Sequence, residues 1–261
     1  MRDVFTANAL KGRKALVFGA SRGLGRASAE QLAAMGADVV LLARSPERLR
    51  LVAGELQRKY GVATTIEAAD LVDEAALNAV LRRHADTDLL ITNCGGPPVG
   101  PYLQTPLADW DAAYRQIVRS VVQATQALLP HMAARGFGRV VMIASRTVRH
   151  PLALMAISNS LRKALLGIAE TIADEFGEKG ITANLVCPGL TRTERMTEVL
   201  AARARNAGRS EDELLAEMLR PIAAGRVGQP REIAATVGFL CTDVAGYIQG
   251  QCLLVDGGHK L

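Results

Sequence analysis

The apolar positions of the chain fall into seven short runs, separated by longer segments whose apolar residues recur with helical spacing. Most runs are continuously apolar, as expected for strands that are covered on both faces. The predicted strands are Lys14–Phe18, Asp38–Ala43, Val62–Ala69, Asp88–Thr92, Arg139–Ala144, Ile181–Cys187 and Cys252–Val255. Since strand and helix alternate almost throughout, we predict an α/β protein with a doubly wound, seven-stranded parallel sheet and helices on both faces.

Two dipeptides mark predicted helix starts. Ser45-Pro46 and Thr105-Pro106 each place a capping side chain before a proline at the first helical position. The sequence contains no Pro/Ser-rich linker, low-complexity tract or internal repeat, so residues 1–261 are predicted to form one domain.

One long excursion, at about residues 190–228, follows the sixth strand. It is rich in charge and has a helical pattern at Glu211–Leu219. It begins at the carboxyl end of a strand, the side of the sheet on which ligands bind in this architecture. We predict a helical substrate lid, with a surface excursion that has no role as the alternative.

Composition excludes several classes of protein. The 261 residues are 49% hydrophobic and 22% charged, too apolar for a disordered chain. The longest apolar stretches fall far short of the ~18 residues of a membrane span, and the charged N-terminal residues do not resemble a secretory signal. Four widely spaced cysteines favour buried thiols in a reducing cytoplasm over disulfides or zinc ligation.

The charge balance bears on the partner. A formal charge of +5 is combined with only 4% aromatic residues, and no basic run has interleaved rings. This favours an anionic small molecule over a nucleic acid.

A glycine-rich segment follows the first predicted strand and opens a helix. It comprises, in order, Gly19, Ala20, Ser21, Arg22, Gly23, Leu24 and Gly25. Gly19 would allow a tight turn, Gly23 would let the backbone approach a pyrophosphate, and Gly25 would permit close packing of helix on strand. The first N–H groups of the helix would then bind the anion, so the segment predicts dinucleotide binding.

The end of the second strand indicates which dinucleotide fits. A free ribose 2′-OH is usually bound by a carboxylate about 20 residues after the glycines. This chain has Ala43, Arg44 and Ser45 there instead. Arg44 and Arg22 could together bind a 2′-phosphate, since guanidinium groups pair well with phosphate, so NADP(H) is favoured and NAD(H) is possible. The alternative is that both arginines are solvated surface charges.

From Lys11 to Gly258 the chain resembles the short-chain dehydrogenase/reductase family, in particular 3-oxoacyl-carrier-protein reductases. The resemblance implies a Rossmann fold and an oxidoreductase acting on a carbonyl/alcohol pair. It also implies cofactor contacts: Asp70 and Leu71 at the adenine, Asn93 and Gly95 after the fourth strand, and Pro188, Gly189, Thr191 and Thr193 on the nicotinamide side. Gly225-Arg226 through Pro230 and the ending Val255-Asp256-Gly257-Gly258 are similar to the family as well.

The catalytic positions depart from the family pattern. The family uses a serine, a tyrosine thirteen residues later, a lysine four residues after that, and an asparagine in the fourth helix. Here Ser145 is followed at those intervals by Ser158 and Arg162, and Ile117 stands at the asparagine position. No tyrosine occurs between residues 115 and 246. The segments Ser158-Asn159-Ser160-Leu161-Arg162 and Gly95-Gly96-Pro97 resemble a divergent subgroup of the family, whose members are labelled oxidoreductases.

The replacements change the expected chemistry. The resemblance implies that Ser145 orients the carbonyl and that Arg162 binds ribose, but a guanidinium stays protonated and cannot relay a proton. An alcohol such as Ser158 is a far weaker acid than a phenol, and general acid catalysis is worth ~10²–10⁴-fold. The proton would then come from Ser158 through water or from His150.

Other residues are interpreted more simply. His150 is equally well explained as an exposed loop histidine, and Tyr102 and Tyr114 as packing residues. His84 and His131 are interpreted as surface residues, and no metal site is predicted.

Many basic residues surround the expected active site and the lid. They are Arg146, Arg149, Arg162 and Lys163, and in the lid Arg192, Arg195, Arg203, Arg205 and Arg209. Solvated helix faces explain them; an anionic substrate, such as a carrier-bound acyl group or a carboxylate-bearing ketone, is the sharper hypothesis.

Two functions therefore compete: an NADP(H)-dependent oxidoreductase with an altered proton donor, and a nucleotide-binding regulator of the same fold with little turnover. The resemblance also implies a homotetramer or homodimer formed through helices around Leu107–Arg135 and Leu152–Phe176.

Overall fold

The sheet determines the architecture. The computed structural model describes residues 6 and 8–260, without the side chains of residues 202, 203 and 206. Seven parallel strands lie in the order β3-β2-β1-β4-β5-β6-β7. They are β1 (Lys14–Phe18), β2 (Asp38–Ala43), β3 (Thr64–Ala68), β4 (Leu89–Thr92), β5 (Gly138–Ile143), β6 (Ile181–Pro188) and β7 (Cys252–Val255). This confirms the predicted α/β fold with a doubly wound, seven-stranded parallel sheet.

Nine α-helices are described. They are α1 (Gly23–Ala34), α2 (Pro46–Tyr60), α3 (Glu74–Arg83), α4 (Leu107–Tyr114), α5 (Ser120–Arg135), α6 (Ala156–Phe176), α7 (Glu194–Ala207), α8 (Glu211–Leu219) and α9 (Pro230–Leu240). A π-helical segment, Arg115–Arg119, joins α4 to α5.

The two faces of the sheet carry separate apolar cores. On one face, strand side chains pack with α3, α5 and α6; on the other, they pack with α1, α2 and α9. Every residue of β5 and β6 is buried. Covering on both faces is the reason why these strands are continuously apolar in sequence.

The strand order places the predicted functional segments together. β1 pairs with β2 on one side and β4 on the other, so the order reverses between β1 and β4. In doubly wound sheets, ligands bind outside the carboxyl ends of the strands at this point. The glycine segment follows β1 there, and Asn93 follows β4.

The two predicted helix starts had different outcomes. Ser45 caps α2 as predicted, with its Oγ accepting from the Arg48 N–H. The prediction for Thr105 is wrong: α4 begins at Leu107, and the Thr105 hydroxyl donates to the Pro101 carbonyl. That bond closes the preceding turn, so the hydroxyl is directed away from the helix N-terminus. The helix predicted around Leu152–Phe176 begins four residues later than predicted, at Ala156.

The excursion after β6 is helical. α8 has the predicted bounds, and Ser210 and Glu213 form a capping box at its start. α7 precedes it and is capped by the Thr193 side chain, which accepts from the Met196 N–H. We call the excursion at about residues 190–228 the lid.

His84 corrects the interpretation of the helical histidines as surface residues. Its ring is buried, and Nε2 lies 2.7 Å from the Glu67 Oε1 atom on β3. Arg83 donates to both oxygens of the same carboxylate, from Nε at 3.0 Å and from Nη2 at 2.6 Å. His131 is also half-buried rather than exposed. The Glu67 carboxylate, held by the side chains of Arg83 and His84, connects the end of α3 to the edge strand β3.

This cluster leads to a prediction about stability. The Arg83 hydrogen bonds, with a smaller contribution from His84, hold the pKa of Glu67 below its ordinary value. A carboxylate with a lowered folded pKa stabilises the protein above its unfolded pKa, and the stabilisation is lost as pH falls through the folded pKa. We expect Glu67→Gln to lower the free energy of unfolding by about 1–2 kcal/mol at neutral pH.

Urea unfolding at pH 7 and at pH values below roughly 4 measures this difference. The gap between wild type and variant should narrow towards acid pH. Glu178→Gln, which removes an exposed carboxylate, is the matched control and should change little. A gap that stays constant between the two pH values would contradict the charged role of Glu67.

Candidate active site

The turn after β1 has the backbone geometry that the glycine segment predicts. Gly19 has a φ of +63°, and a Cβ at this position would lie 2.7 Å from the Asn93 Nδ2 atom. Gly23 also has a positive φ, of +56°. A side chain at position 19 would be strained by its backbone and would clash with Asn93, which follows β4.

The third glycine of the segment allows α1 to pack on β1. A Cβ on Gly25 would contact the Gly19 carbonyl and lie 2.8 Å from the Phe18 carbonyl oxygen. Among the described side chains, none caps α1, and its first turn contains no acidic residue. The first N–H groups of this helix are therefore available to an anion, and the turn fits the pyrophosphate of a dinucleotide.

Arg22 links the glycine turn to the lid. Its Nη1 atom lies 3.2 Å from Glu194 Oε2 and 3.3 Å from Glu198 Oε1, both on α7. Arg48 on α2 also pairs with Glu194 Oε2, at 3.2 Å. The hydrogen bonds from Arg22 and then Arg48 lower the pKa of Glu194. Sequence reasoning missed these acidic partners because they lie more than 140 residues away.

Arg44 is less engaged than Arg22. Its side chain is 76% exposed, and its Nη1 atom is 3.8 Å from the Asp70 Oδ2 atom. Arg44 follows β2 and Asp70 follows β3, so they stand at the carboxyl edge of the sheet on the α2 side. A long, exposed guanidinium at this place can move onto a phosphate.

The other predicted cofactor residues lie along the same edge. Ser21 is half-exposed in the turn, while Leu24 and Leu71 pack partly into the two cores. Gly95 is exposed after β4, beside the amide of Gln116. Beyond Pro188, which ends β6, Gly189 packs closely on Asp256 and the Thr191 hydroxyl donates to the Gly189 carbonyl. Thr193 reaches over Gly23, since its Cγ2 atom is 3.7 Å from where a Cβ would stand.

Ser145 lies two residues after the end of β5, at the carboxyl edge of the sheet. Its Oγ accepts a hydrogen bond from the Thr147 N–H at 3.3 Å, and the residue is half-buried. Because the oxygen is already an acceptor, its own proton is free to be donated outwards. A hydroxyl at this place can orient a carbonyl oxygen.

Ser158 is close to the same turn but is buried, with only 2% of its surface exposed. Its Oγ lies 3.4 Å from the Thr147 Oγ1 atom, which also donates to the Ser158 carbonyl. The structure therefore brings Ser145 and Ser158 together through Thr147, a residue that sequence reasoning missed. In this arrangement Ser158 faces Thr147 rather than open solvent.

Arg162 is a buried cation, 7% exposed, one turn further along α6. Its Nη1 atom donates to the carbonyls of Ala144 at 3.0 Å and Ile143 at 3.3 Å. Burial raises the pKa of the Cys94 thiol, and the nearby Arg162 charge opposes that rise. Arg162 thus supports the strand end that carries Ser145, and the contact to ribose stays a prediction.

Ile117, which stands where the resemblance implies an asparagine, lies in the π-helical segment and is buried. It lines a cavity of about 10 Å³ together with Asn93, Gln116 and Arg162. That volume corresponds to about one water molecule. The polar lining beside Ile117 comes from Asn93 after β4, from Gln116 in the same segment and from Arg162 within α6.

The basic residues divide into two groups. Arg146 is 7% exposed, and no partner for its buried Nε atom is present among the described residues. Arg195 lies over the loop after β4, with its Nε atom 3.9 Å from where a Cβ on Gly96 would stand. By contrast, Lys163 is exposed on α6, and Arg209 pairs with Glu217 inside the lid at 2.8 Å. The side chain of Arg203 lies outside the described part of the structure.

The remaining candidates lie at the margins. Tyr102 is 71% exposed and makes an edge contact with Trp110, and Tyr114 is half-exposed. His150 is partly buried after the Ser145 turn, and its main-chain N–H donates to the Arg146 carbonyl.

Within residues 6 and 8–260, no three His, Cys, Asp or Glu side chains form a metal-binding group. The described helices include none long and apolar enough to cross a membrane.

Comparison with known protein sequences finds similarity over nearly the whole chain. Residues 19–260 match a family model described as enoyl-(acyl carrier protein) reductase. The chain is 32% identical over 254 residues to the 3-oxoacyl-[acyl-carrier-protein] reductase of Aquifex aeolicus, covering 95% of this chain and 98% of that protein.

Solved structures with bound cofactor are similar over nearly the whole chain. The L-sorbose reductase of Gluconobacter frateurii, complexed with NADPH and L-sorbose, superposes with a TM-score of 0.92 at 28% identity, covering 97% of this chain and 98% of that one. A 3-oxoacyl (acyl-carrier-protein) reductase from Agrobacterium tumefaciens with NADP bound gives a TM-score of 0.87 at 28% identity, covering 98% and 96%.

Proposed function

Because the chain belongs to the short-chain dehydrogenase/reductase family, we propose that it is an NADP(H)-dependent oxidoreductase that interconverts a carbonyl compound and its alcohol. The observation that carries this proposal is the glycine turn at the switch point of the sheet. A side chain at position 19 or 25 would clash with neighbouring backbone or with Asn93, and the helix start beyond the turn is open. Backbone held this close is expected where a pyrophosphate must approach it.

The preference for NADP(H) rests on charge at the ends of β2 and β1. Arg44, at the end of β2, is exposed and among the described residues pairs only with Asp70, and Arg22, in the turn after β1, has its acidic partners at the surface. No carboxylate directly follows β2, where a 2′-OH would need one. The two solved relatives named above were crystallised with NADPH or NADP. We therefore place the 2′-phosphate between Arg22 and Arg44.

The residues of the chain have separate tasks in the reaction. When bound, the cofactor supplies or accepts the hydride. Ser145 donates a hydrogen bond to the carbonyl oxygen and so orients it, while its own Oγ accepts from the Thr147 N–H. Arg162 keeps the end of β5 in position through two carbonyls. In this role it is a positioning residue.

The proton that completes carbonyl reduction comes from Ser158 through water or from His150. Burial of Ser158 against Thr147 favours His150, which lies nearer the surface. Steady-state kcat distinguishes them: a large loss of kcat in His150→Ala, with the kcat of Ser158→Ala unchanged, would support His150.

We propose that the substrate carries a negative charge. Arg146 has a buried, unpartnered Nε atom beside the Ser145 turn, and Arg195 overhangs the loop after β4. Arg149 adds a third cation in the same turn as Arg146. A carboxylate or a carrier phosphate would satisfy these donors.

The charge proposal is tested by KM. Arg195→Ala and Arg149→Ala are expected to raise the KM for an acid substrate several-fold, about 1 kcal/mol of binding each. Arg205→Ala, an exposed arginine on the same lid helix as Arg195, is the control. Equal KM values for all three variants would count against an anionic substrate.

Direct titration tests the function itself. Purified protein is titrated with NADPH and with NADH by calorimetry, and the cofactor that binds is then used in a screen of carbonyl compounds, acids included. Tight NADPH binding followed by cofactor oxidation supports the proposal. Binding without turnover would favour the nucleotide-binding regulator, an alternative that the reductase names of the relatives do not support.

The ion pairs of Glu194 give a further prediction. Glu194 pairs with Arg22, which the proposed 2′-phosphate would need to approach, and also with Arg48. Exposed pairs are worth up to about 1 kcal/mol each, so Glu194→Gln should tighten NADPH binding about three- to tenfold. The effect should shrink in high salt, and NADH affinity should not change.

Calorimetric titration of Glu194→Gln measures this change. Glu213→Gln on α8, which removes a carboxylate that pairs with Arg209 rather than with the glycine turn, is the control. Weaker NADPH binding in Glu194→Gln would mean that the lid contact supports the site rather than competing for it.

We also propose a cytoplasmic homotetramer or homodimer that uses α4, α5 and α6. Near the start of α4, the side chains of Leu103 and Leu107 are 95% and 81% exposed. Large apolar side chains exposed together favour a protein interface. Light scattering coupled to size-exclusion chromatography determines the mass, and a monomer at micromolar concentration would contradict this proposal.

A further inference from the structure

Two cysteines that are far apart in sequence meet beside the candidate active site. Cys187 is near the end of β6 and Cys252 begins β7, and these two strands are hydrogen-bonded neighbours. Their sulfur atoms are 3.2 Å apart. A disulfide has sulfurs ~2.05 Å apart, so a movement of little more than 1 Å would join them.

The two thiols differ in exposure. Cys187 is fully buried, whereas Cys252 is partly exposed. The hydrogen bond from the Cys187 thiol, together with the Arg149 guanidinium beside it, lowers the pKa of the Cys252 thiol to about 7. Its partner changes oppositely, because that same contact and burial raise the pKa of Cys187. Cys252 is thus a reachable thiol with thiolate character, and Cys187 is a sheltered second thiol behind it.

The pair adjoins the turn that carries Ser145. The Ser145 main-chain N–H faces the Cys187 sulfur, and the Arg162 charge lies nearby. On the other side, Arg149 belongs to the same turn as Arg146. A change in the bonding of the two sulfur atoms is therefore expected to affect both the Ser145 hydroxyl and the guanidinium groups of Arg146 and Arg149.

We propose that Cys187 and Cys252 form a reversible dithiol–disulfide site that a peroxide oxidises. The Cys252 thiolate attacks one peroxide oxygen and becomes a sulfenic acid, while the other oxygen leaves as hydroxide and takes up a proton. The Cys187 sulfur then attacks the sulfenic sulfur, loses its proton and releases water. With hydrogen peroxide, two thiols and one peroxide yield one disulfide and two waters, and a dithiol reductant reverses the change.

Oxidation should alter the candidate site. The new bond draws the Cys187 sulfur towards β7 and away from the Ser145 N–H. It also removes the thiolate that Arg149 faces. We expect the disulfide form to have reduced catalytic turnover. Contacts to the cofactor at the glycine turn should change less, because that turn lies at β1, on the other side of β4 and β5.

Thiol counting tests the site without any assay of activity. The folded wild-type protein is treated with hydrogen peroxide, unfolded and titrated with a thiol reagent. It should lose two of its four thiols and regain both with dithiothreitol. Proteolysis and mass spectrometry of the oxidised wild type should then recover the peptides of Cys187 and Cys252 linked to each other.

Three variants define the chemistry. Cys187→Ser should leave a sulfenic acid on Cys252 that dimedone traps, and Cys252→Ser should lose no thiol at the wild-type rate. Cys241→Ser is the matched control: Cys241 is fully buried, burial raises the pKa of its thiol to about 12, and this variant should still lose two thiols.

Other results would overturn the proposal. Four thiols remaining in wild type after peroxide treatment, or a linkage that maps to Cys94 or Cys241, would each do so. Circular dichroism before and after treatment verifies that oxidation acts on the folded protein. If a serine variant fails to fold, the linked peptides of the wild type still decide. Failure of this test leaves the oxidoreductase proposal intact, since the thiol count does not depend on turnover.

Discussion

Ser145→Ala is expected to lower kcat for the carbonyl substrate by about 10²–10³-fold, the usual cost of removing one hydrogen-bond donor to a developing oxyanion. The reason is local. Ser145 Oγ accepts from the Thr147 N–H, which helps to hold the side chain in place, and its proton stays available to a carbonyl oxygen. Alanine removes that donor, and with it the oxygen that accepts from the Thr147 N–H at the start of the next turn.

Steady-state kinetics with saturating cofactor measures the effect, and KM should change far less than kcat because the donor acts most strongly on the developing charge. Ser160→Ala, an exposed serine on α6, is the matched control and should keep wild-type kcat. If Ser145→Ala also retained wild-type kcat, Ser145 would have no role in orienting the carbonyl. The chemistry would then have to be assigned elsewhere.

Arg44→Ala is expected to weaken NADPH binding by about 10–100-fold and to leave NADH binding within about twofold. Hydrogen bonds to a charged partner are worth about 1.5–3 kcal/mol, and NADH has no 2′-phosphate to lose them. Arg44 suits this role because it is 76% exposed and its pairing with Asp70 spans 3.8 Å. Little existing interaction must be broken before it binds a phosphate.

Calorimetric titration of the variant with each cofactor measures the change in selectivity. Arg50→Ala is the control, since it removes the same charge from an exposed position on α2. Equal losses for NADPH and NADH would show that Arg44 acts on another part of the cofactor. Equal losses in Arg44→Ala and Arg50→Ala would reduce the effect to the general charge of the surface.

Much of the fold was predictable because burial on both faces leaves a direct trace in sequence. β5 and β6 are wholly buried, and the predicted strands at Arg139–Ala144 and Ile181–Cys187 differ from them by one residue at most at either end. The glycine turn was predictable for a similar reason. A side chain at position 25 would clash with the carbonyls of Phe18 and Gly19, which are close in sequence. A side chain at position 19 would clash with Asn93, which follows the neighbouring strand β4.

What the sequence did not reveal depends on long-range contacts. Glu67 and His84 meet because α3 returns along β3, and Glu194 reaches Arg22 only when the lid lies over the turn. Cys187 and Cys252 have no motif spacing, yet the pairing of β6 with β7 brings them into contact. The helix cap predicted at Thr105 is wrong for a local reason, because the Thr105 hydroxyl donates instead to the nearby Pro101 carbonyl.

The first turn of α7 has one further consequence. Glu194 pairs with Arg22 of the glycine turn, and its neighbour Arg195 lies over the loop after β4. A 2′-phosphate that displaces Glu194 therefore shifts the same helical turn that presents Arg195 to an acid substrate. The two ligands should bind with a shared coupling free energy, and linkage requires that each change the affinity for the other by the same factor. Binding of the cofactor and binding of the substrate are then coupled. A substitution in this single turn can change that coupling while the affinity for each ligand alone stays measurable.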